Sequence, residues 1–85
     1  MTDKEKKILE LFPDASITLA EGFDEALMGV AQIFNKYIAI YNREACIDIL
    51  ITRDNLTSDE AEEYFEFNVI GSYVGENTPG FLSSC

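Results

Sequence analysis

The run Tyr37-Ile38-Ala39-Ile40-Tyr41 is strongly β-forming, and it passes without a loop into Asn42-Arg43-Glu44-Ala45-Cys46, a helix start with Asn42 as its N-cap. A strand that leads straight into a helix obliges the helix to pack back on the sheet, so strand and helix must share one core. The helix read from this start covers residues 43–54. Cys46, Ile49 and Leu50 share one face of it, flanked by Ala45 and Ile47, which makes a wide apolar stripe. Asp54-Asn55 ends it.

What pairs with the strand is less direct. Residues 23–36 admit two readings, because Phe23, Ala26, Leu27, Val30, Ile33 and Phe34 fit helical spacing while residues 26–34 also read as a buried strand. The strong β-run that follows favours the strand. Asn35-Lys36 then serves as a two-residue connection, with Asn able to take positive φ, and a hairpin spans about residues 26–41. Gly29 marks a bulge or a close approach of backbone. Ile17-Thr18-Leu19 alternates briefly as an extended segment or edge strand before a turn at Glu21-Gly22.

Two further helices complete the prediction. Ile8, Leu9, Leu11 and Phe12 give residues 3–12 one apolar side, and Pro13-Asp14 stops that helix. Thr57-Ser58-Asp59-Glu60 is a capping-box sequence, in which the Thr57 hydroxyl and the Glu60 carboxylate satisfy each other's backbone N–H groups, and it opens a helix over residues 58–72. Leu56 and Ala61 occupy hydrophobic-staple positions. The expected fold is therefore α+β: a small antiparallel sheet of two or three strands packed by helices at about 3–12, 43–54 and 58–72. With 85 residues the chain forms one domain (1–85), and a chain of this size buries only roughly 60–65% of the surface its unfolded form exposes.

Charge is distributed unevenly. The formal net charge is −10, and residues 1–12 are balanced by Lys4, Lys6 and Lys7, so the excess lies in residues 13–85 with only Lys36, Arg43 and Arg53 as cations. From Asp54 onward there are seven acidic residues and no Lys or Arg. Such a field repels nucleic acid and anionic membrane and speeds association with basic protein surfaces; part of the acidity, at Asp59 and Glu60, also complements the helix dipole. No apolar run is long enough to span a bilayer and the N-terminus lacks the apolar stretch of a signal peptide, which points to residence in the cytosol. Two cysteines cannot make a disulfide framework; Cys46 reads as a buried small hydrophobe, and Cys85 as a terminal thiol able to join two chains on oxidation.

In the last helix, Ala61, Tyr64, Phe65, Asn68, Val69 and Ser72 fall on one side and Asp59, Glu60, Glu62, Glu63 and Glu66 on the other. Phe67 and Ile70 project toward the acidic side, as apolar anchors rimmed by carboxylates or as residues covered by a tail that includes Tyr73, Val74, Phe81 and Leu82. Asn68 falls within the apolar side, where an unpaired amide would cost on the order of 1–3 kcal/mol, so it requires a partner, from backbone or from a ligand. Gly71, Ser72 and Gly75 are small enough for close backbone approach, and residues 77–80 read as a turn with Phe81 as an apolar anchor beyond it.

No reaction is legible. The absence of His removes the usual catalytic base and zinc ligand. Glu62 and Glu66 are an i, i+4 carboxylate pair without a calcium-loop order around them or a cleft between them. A phosphate-binding glycine loop, a G-x-S-x-G motif and a Cys-x-x-Cys are all missing. The expectation is a protein that is not an enzyme and carries neither cofactor nor metal.

Glu21-Gly22-Phe23-Asp24-Glu25-Ala26-Leu27-Met28-Gly29-Val30, Tyr41 through Leu50, and Arg53-Asp54 through Phe81 together resemble a family of small acidic proteins of tailed phages and prophages. In that family a Cys-Ile-x-Ile-Leu helix is followed by an Arg-Asp turn, a Glu-rich helix and an ending close to Phe-Asn-x-x-Gly-x-Tyr-Val-Gly-Glu-x-Thr-Pro-x-Phe. The resemblance covers residues 21–81, not the first 20. It implies a phage setting, hence a host bacterial cytoplasm, and no activity; it also supports strand at residues 26–30.

The combined expectation is a phage protein that binds and inhibits a host protein with a basic surface, such as a component of an antiviral defence system. Asp59, Glu60, Glu62, Glu63 and Glu66 would imitate spaced phosphates with Phe67 and Ile70 as anchors, so that the protein contacts neither nucleic acid nor membrane itself. The alternatives are a self-associating protein (a homodimer) or virion-assembly accessory protein that uses Phe67 and Ile70 as its seam, and a ligand-sequestering protein built around Asn68.

Overall fold

The computed structural model describes residues 3–13, 16–72 and 78–83. Its α+β architecture consists of α1 (Asp3–Leu11), the hairpin strands β1 (Leu27–Ile33) and β2 (Lys36–Asn42), α2 (Arg43–Asp54), α3 (Ser58–Tyr64) and a short C-terminal strand β3 (Gly80–Leu82), in the sheet order β1-β2-β3. β1 and β2 are antiparallel, as the hairpin reading requires. β3, read in the sequence only as an apolar anchor after a turn, pairs with β2 in parallel, so the sheet is mixed rather than wholly antiparallel. A parallel neighbour needs a long crossover, and here α2 and α3 lie within it.

Burial follows the strand period. Leu27, Ala39 and Tyr41 are buried, and Val30 is partly buried, on the face where Leu27 pairs with Tyr41 and Val30 with Ala39. Cys46 and Leu50 of α2, Ala61, Phe65 and Val69 from the last helix, and Ile8 of α1 close over that core. Burial pushes the Cys46 thiol up to about 11, which keeps it neutral and unreactive at physiological pH. Asn42 caps α2 as expected, its Oδ1 accepting from the Ala45 N–H at 2.9 Å. Asn55 follows that helix in the left-handed region (φ 54°), which Asn tolerates better than most residues.

Ile17-Thr18-Leu19 does not join the sheet. The segment instead brings Ala20, fully buried, to the core, where its N–H donates to the Tyr41 hydroxyl at 2.8 Å. A side chain thus supplies what a strand partner would have supplied. The turn at Glu21-Gly22 is present: Gly22 has φ 89°, and a Cβ there would stand 2.8 Å from Arg53 Nη1. Arg53 donates from that atom to the Gly22 carbonyl at 3.0 Å and lies over the Phe23 ring, tying the end of α2 to the turn.

The hairpin turns one residue earlier than the sequence indicates. Ile33 pairs with Lys36, so the two connecting residues are Phe34-Asn35 rather than Asn35-Lys36. The registers Leu27 to Tyr41 and Val30 to Ala39 set this, since a one-residue slip would turn the buried faces outward. A bulge at Met28 lies between the pairs formed by Leu27 and Gly29. The consequence is a phenylalanine, not an asparagine, at positive φ (56°), and it is 92% exposed. Left-handed backbone costs a bulky residue about 1–2 kcal/mol, while glycine adds about 0.5–1 kcal/mol of unfolded-state entropy. Phe34→Gly is therefore expected to raise stability by roughly 0.5–1 kcal/mol, read as a higher urea midpoint at unchanged slope. A lower midpoint would contradict the assignment of strain to this tip.

Candidate functional site

The capping box that opens α3 forms as expected: the Glu60 N–H donates to Thr57 Oγ1 at 3.2 Å and the Thr57 N–H to Glu60 Oε1 at 3.0 Å. The Thr57 hydrogen bonds hold the Glu60 carboxyl below its ordinary value. Ala61 and Phe65 then enter the core one helical turn apart.

Past Tyr64 the helix widens. Over Phe65–Val69 it becomes a π-turn, in which the Ile70 N–H donates to the Phe65 carbonyl five residues back, and residues 70–72 tighten into a 3₁₀ turn. A π-turn advances each residue by less than the roughly 100° of an α-helix, and this changes the assignment of faces. Val69 is drawn into the core, whereas Asn68 is carried off it to the exposed side. The desolvation argument for Asn68 therefore does not apply, because its amide is not in the apolar interior. Phe67 stands clear of the protein at 74% exposure, while Ile70 is drawn partly back at 38%. The two do not make an equal apolar pair; Phe67 is the projecting anchor.

Phe81, one of the tail residues the sequence offers as cover for Phe67 and Ile70, goes elsewhere. Its ring meets Phe65 edge-on at 5.0 Å and Tyr41 at 5.9 Å. Tyr73, Val74 and Gly75 lie outside the described residues, as does part of the turn read at 77–80. Close approach occurs at Gly80, where a Cβ would stand 2.8 Å from Ile40 Cδ1, and not at Gly71, where the nearest atom would be an ordinary 3.9 Å away.

The five carboxylates of the helix do not act alike. Glu66 accepts from Arg43 Nη2 at 2.6 Å and Glu62 lies 3.5 Å from the same nitrogen. The hydrogen bond to Glu66 raises the Arg43 pKa, with both carboxylates adding to the effect. That guanidinium also lies 5.5 Å from the centre of the Phe65 ring. Glu62 and Glu66 thus help to seat the helix on the N-terminus of α2, and Glu60 closes the capping box. Asp59 and Glu63 are exposed and, among the described residues, have no such structural engagement. Five carboxylates against one guanidinium leave the helix that carries Phe67 strongly anionic.

A second acidic feature, not anticipated from the sequence, is an open cleft of about 540 Å³ between α2 and the turn before β1, with Asp24, Glu25, Asp48 and Arg53 in its walls. Burial pushes the Asp24 carboxyl above its ordinary value and the neighbouring, largely buried Glu5 adds to that. Nothing in the spacing of these residues announces the cleft, since two segments remote in the chain contribute to it. Among the described residues no cluster of three or more His, Cys, Asp or Glu side chains could hold a metal ion. No helix among them is long and apolar enough to cross a membrane. Comparison with protein-family models, with curated proteins and with solved structures returns no match.

Proposed function

We propose that this chain is a non-enzymatic phage protein that binds and inhibits a host protein in the bacterial cytoplasm, a factor directed against antiviral defence. In this reading the anionic face of the last helix occupies a basic, nucleic-acid-binding groove on the target, and Phe67 is the apolar anchor at its centre. The observation that carries it is Phe67 at 74% exposure on the same helix as the exposed Asp59, Glu62, Glu63 and Glu66. An exposed aromatic on a helix of one sign of charge fits a partner that is basic at the rim and apolar at one pocket. The phage setting rests on the sequence resemblance over residues 21–81.

The test must spare Glu62 and Glu66, because reversing them also removes the Arg43 contacts that seat the helix. Glu63→Lys combined with Phe67→Ser leaves those contacts in place. Tagged wild type and this variant are used for capture from bacterial lysate, with low-salt and then high-salt washes. The wild type is expected to recover a nucleic-acid-binding or defence complex that salt releases. The variant should associate with it about tenfold more slowly at low salt, the difference narrowing as salt screens the charges. Equal rates for the two proteins would sink the acidic-decoy reading. Recovery of the protein alone, with light scattering that shows a dimer lost in Phe67→Glu, would shift the assignment to the self-associating alternative.

A further inference from the structure

β1 is an outer strand: β2 pairs along one side of it and no strand pairs along the other among the described residues. An edge strand offers alternate N–H and C=O groups to any extended chain laid beside it, and proteins blunt such edges with Lys, other charges or proline. Leu27–Ile33, LMGVAQI, contains no charge and no proline, and only the bulge at Met28 interrupts it.

α1 packs beside β1. Ile8 is buried and the Phe12 ring reaches past β1 to lie 5.0 Å from Tyr37 of β2, whereas Leu11 and Met28 face solvent at 62% and 55% exposure. Between helix and strand runs an open groove of about 280 Å³, with Leu11, Met28, Gly29 and Val30 in its walls.

The charge of this groove is opposite to that of the molecule. The chain has 16 acidic residues and six basic ones, yet among the described residues Lys4 and Lys7 line the groove and no acidic side chain does. Lys4 Nζ donates to the Leu27 carbonyl at 3.2 Å, which shows that this carbonyl faces away from β2 and toward the groove. Lys7 is exposed and enters no ion pair among the described residues. Arg43 and Arg53, by contrast, are engaged in holding elements of the fold together.

We propose that this groove takes an extended acidic peptide segment of a partner protein, which adds as a fourth strand along β1. Main-chain hydrogen bonds to the edge supply affinity, alternate apolar side chains rest on Leu11 and Met28, and an Asp or Glu of the peptide pairs with Lys7 and Lys4. A second copy of this chain is disfavoured as the occupant, since each copy carries a formal charge of −10. The site is separate from the α3 face, which sits by the other edge of the sheet through the Phe65–Phe81 contact.

The test is selection of displayed random linear peptides on the immobilised full-length protein, followed by affinity measurement with the enriched peptides. Enriched sequences are expected to combine Asp or Glu with alternating apolar residues. They should bind Lys4→Glu/Lys7→Glu about tenfold more weakly than wild type, lose binding when alternate peptide amides are N-methylated, and slow amide exchange in β1 but not in α3. Lys7→Glu alone, at an exposed position, should still weaken binding about threefold if loss of the Lys4 hydrogen bond disturbs α1 in the double variant. Failure to enrich, enrichment of basic peptides, affinity indifferent to Lys7→Glu or to N-methylation, or a dimer formed through β1 would each overturn the proposal.

Discussion

Phe65→Ala is expected to destabilise the domain by about 3–5 kcal/mol. The ring is fully buried at the point where α3 passes into the π-turn, and three separate elements meet on it. Phe81 of β3 packs edge-on against it at 5.0 Å, and Arg43 at the start of α2 covers it with its guanidinium 5.5 Å from the ring centre. Truncation opens a cavity that helix and sheet cannot both close, and it removes the support on which a three-residue strand depends. A domain of this length has a total stability of roughly 4–13 kcal/mol, so the loss removes between about a quarter and the whole of it, and the urea midpoint should fall in proportion. Urea denaturation followed by circular dichroism checks this. A loss below about 1 kcal/mol would mean that Phe65 does not join α2, α3 and β3.

The second large effect is expected at Tyr41, where loss of a single oxygen should cost about 1–3 kcal/mol. The Tyr41 hydroxyl accepts the Ala20 N–H at 2.8 Å, and both residues are fully buried. Tyr41→Phe keeps the ring, its packing against Phe81 and the strand pairing with Leu27. What it removes is the acceptor, leaving a buried N–H with neither protein nor bulk water to satisfy it. The change should also appear locally, as faster amide exchange at Ala20 before any change in α2. If stability and Ala20 exchange were both unaltered, the hydroxyl would not be the tie that holds the segment before β1.

Where the readings from sequence and structure agree, the signal is local. Thr57 with Glu60, and Asn42 with Ala45, are contacts between residues three apart in the chain, and side-chain chemistry alone specifies them. The hairpin, the three helices and the burial of Cys46 and Leu50 follow from apolar periodicity. The acidic residues of the last helix were legible as a charged face, because charge separation at 100° per residue survives wherever the helix is regular.

The departures all involve partners distant in sequence. Regular helical spacing puts Asn68 inside, yet it lies outside because the helix widens after Tyr64, where Phe65 and Val69 seat against a core built from other segments. The turn fell on Phe34 rather than Lys36 because strand register is decided by which side chains must be buried, even where this leaves a phenylalanine at φ 56°. β3 was invisible as a strand since three residues carry no periodicity; it exists through pairing with Ile40, Tyr41 and Asn42. Glu62 and Glu66 looked equivalent to Glu63 until the fold brought Arg43, remote in the chain, alongside them.

The amino-acid sequence by itself thus determined the α+β class, the order of its principal elements, both helix caps and an anionic last helix, since each depends on contacts within a few residues. Only the tertiary structure decided the parallel third strand, the projection of Phe67, the engagement of Arg43 and the cationic groove between α1 and β1. Those depend on which distant segments must share one small core, and no local pattern encodes that choice.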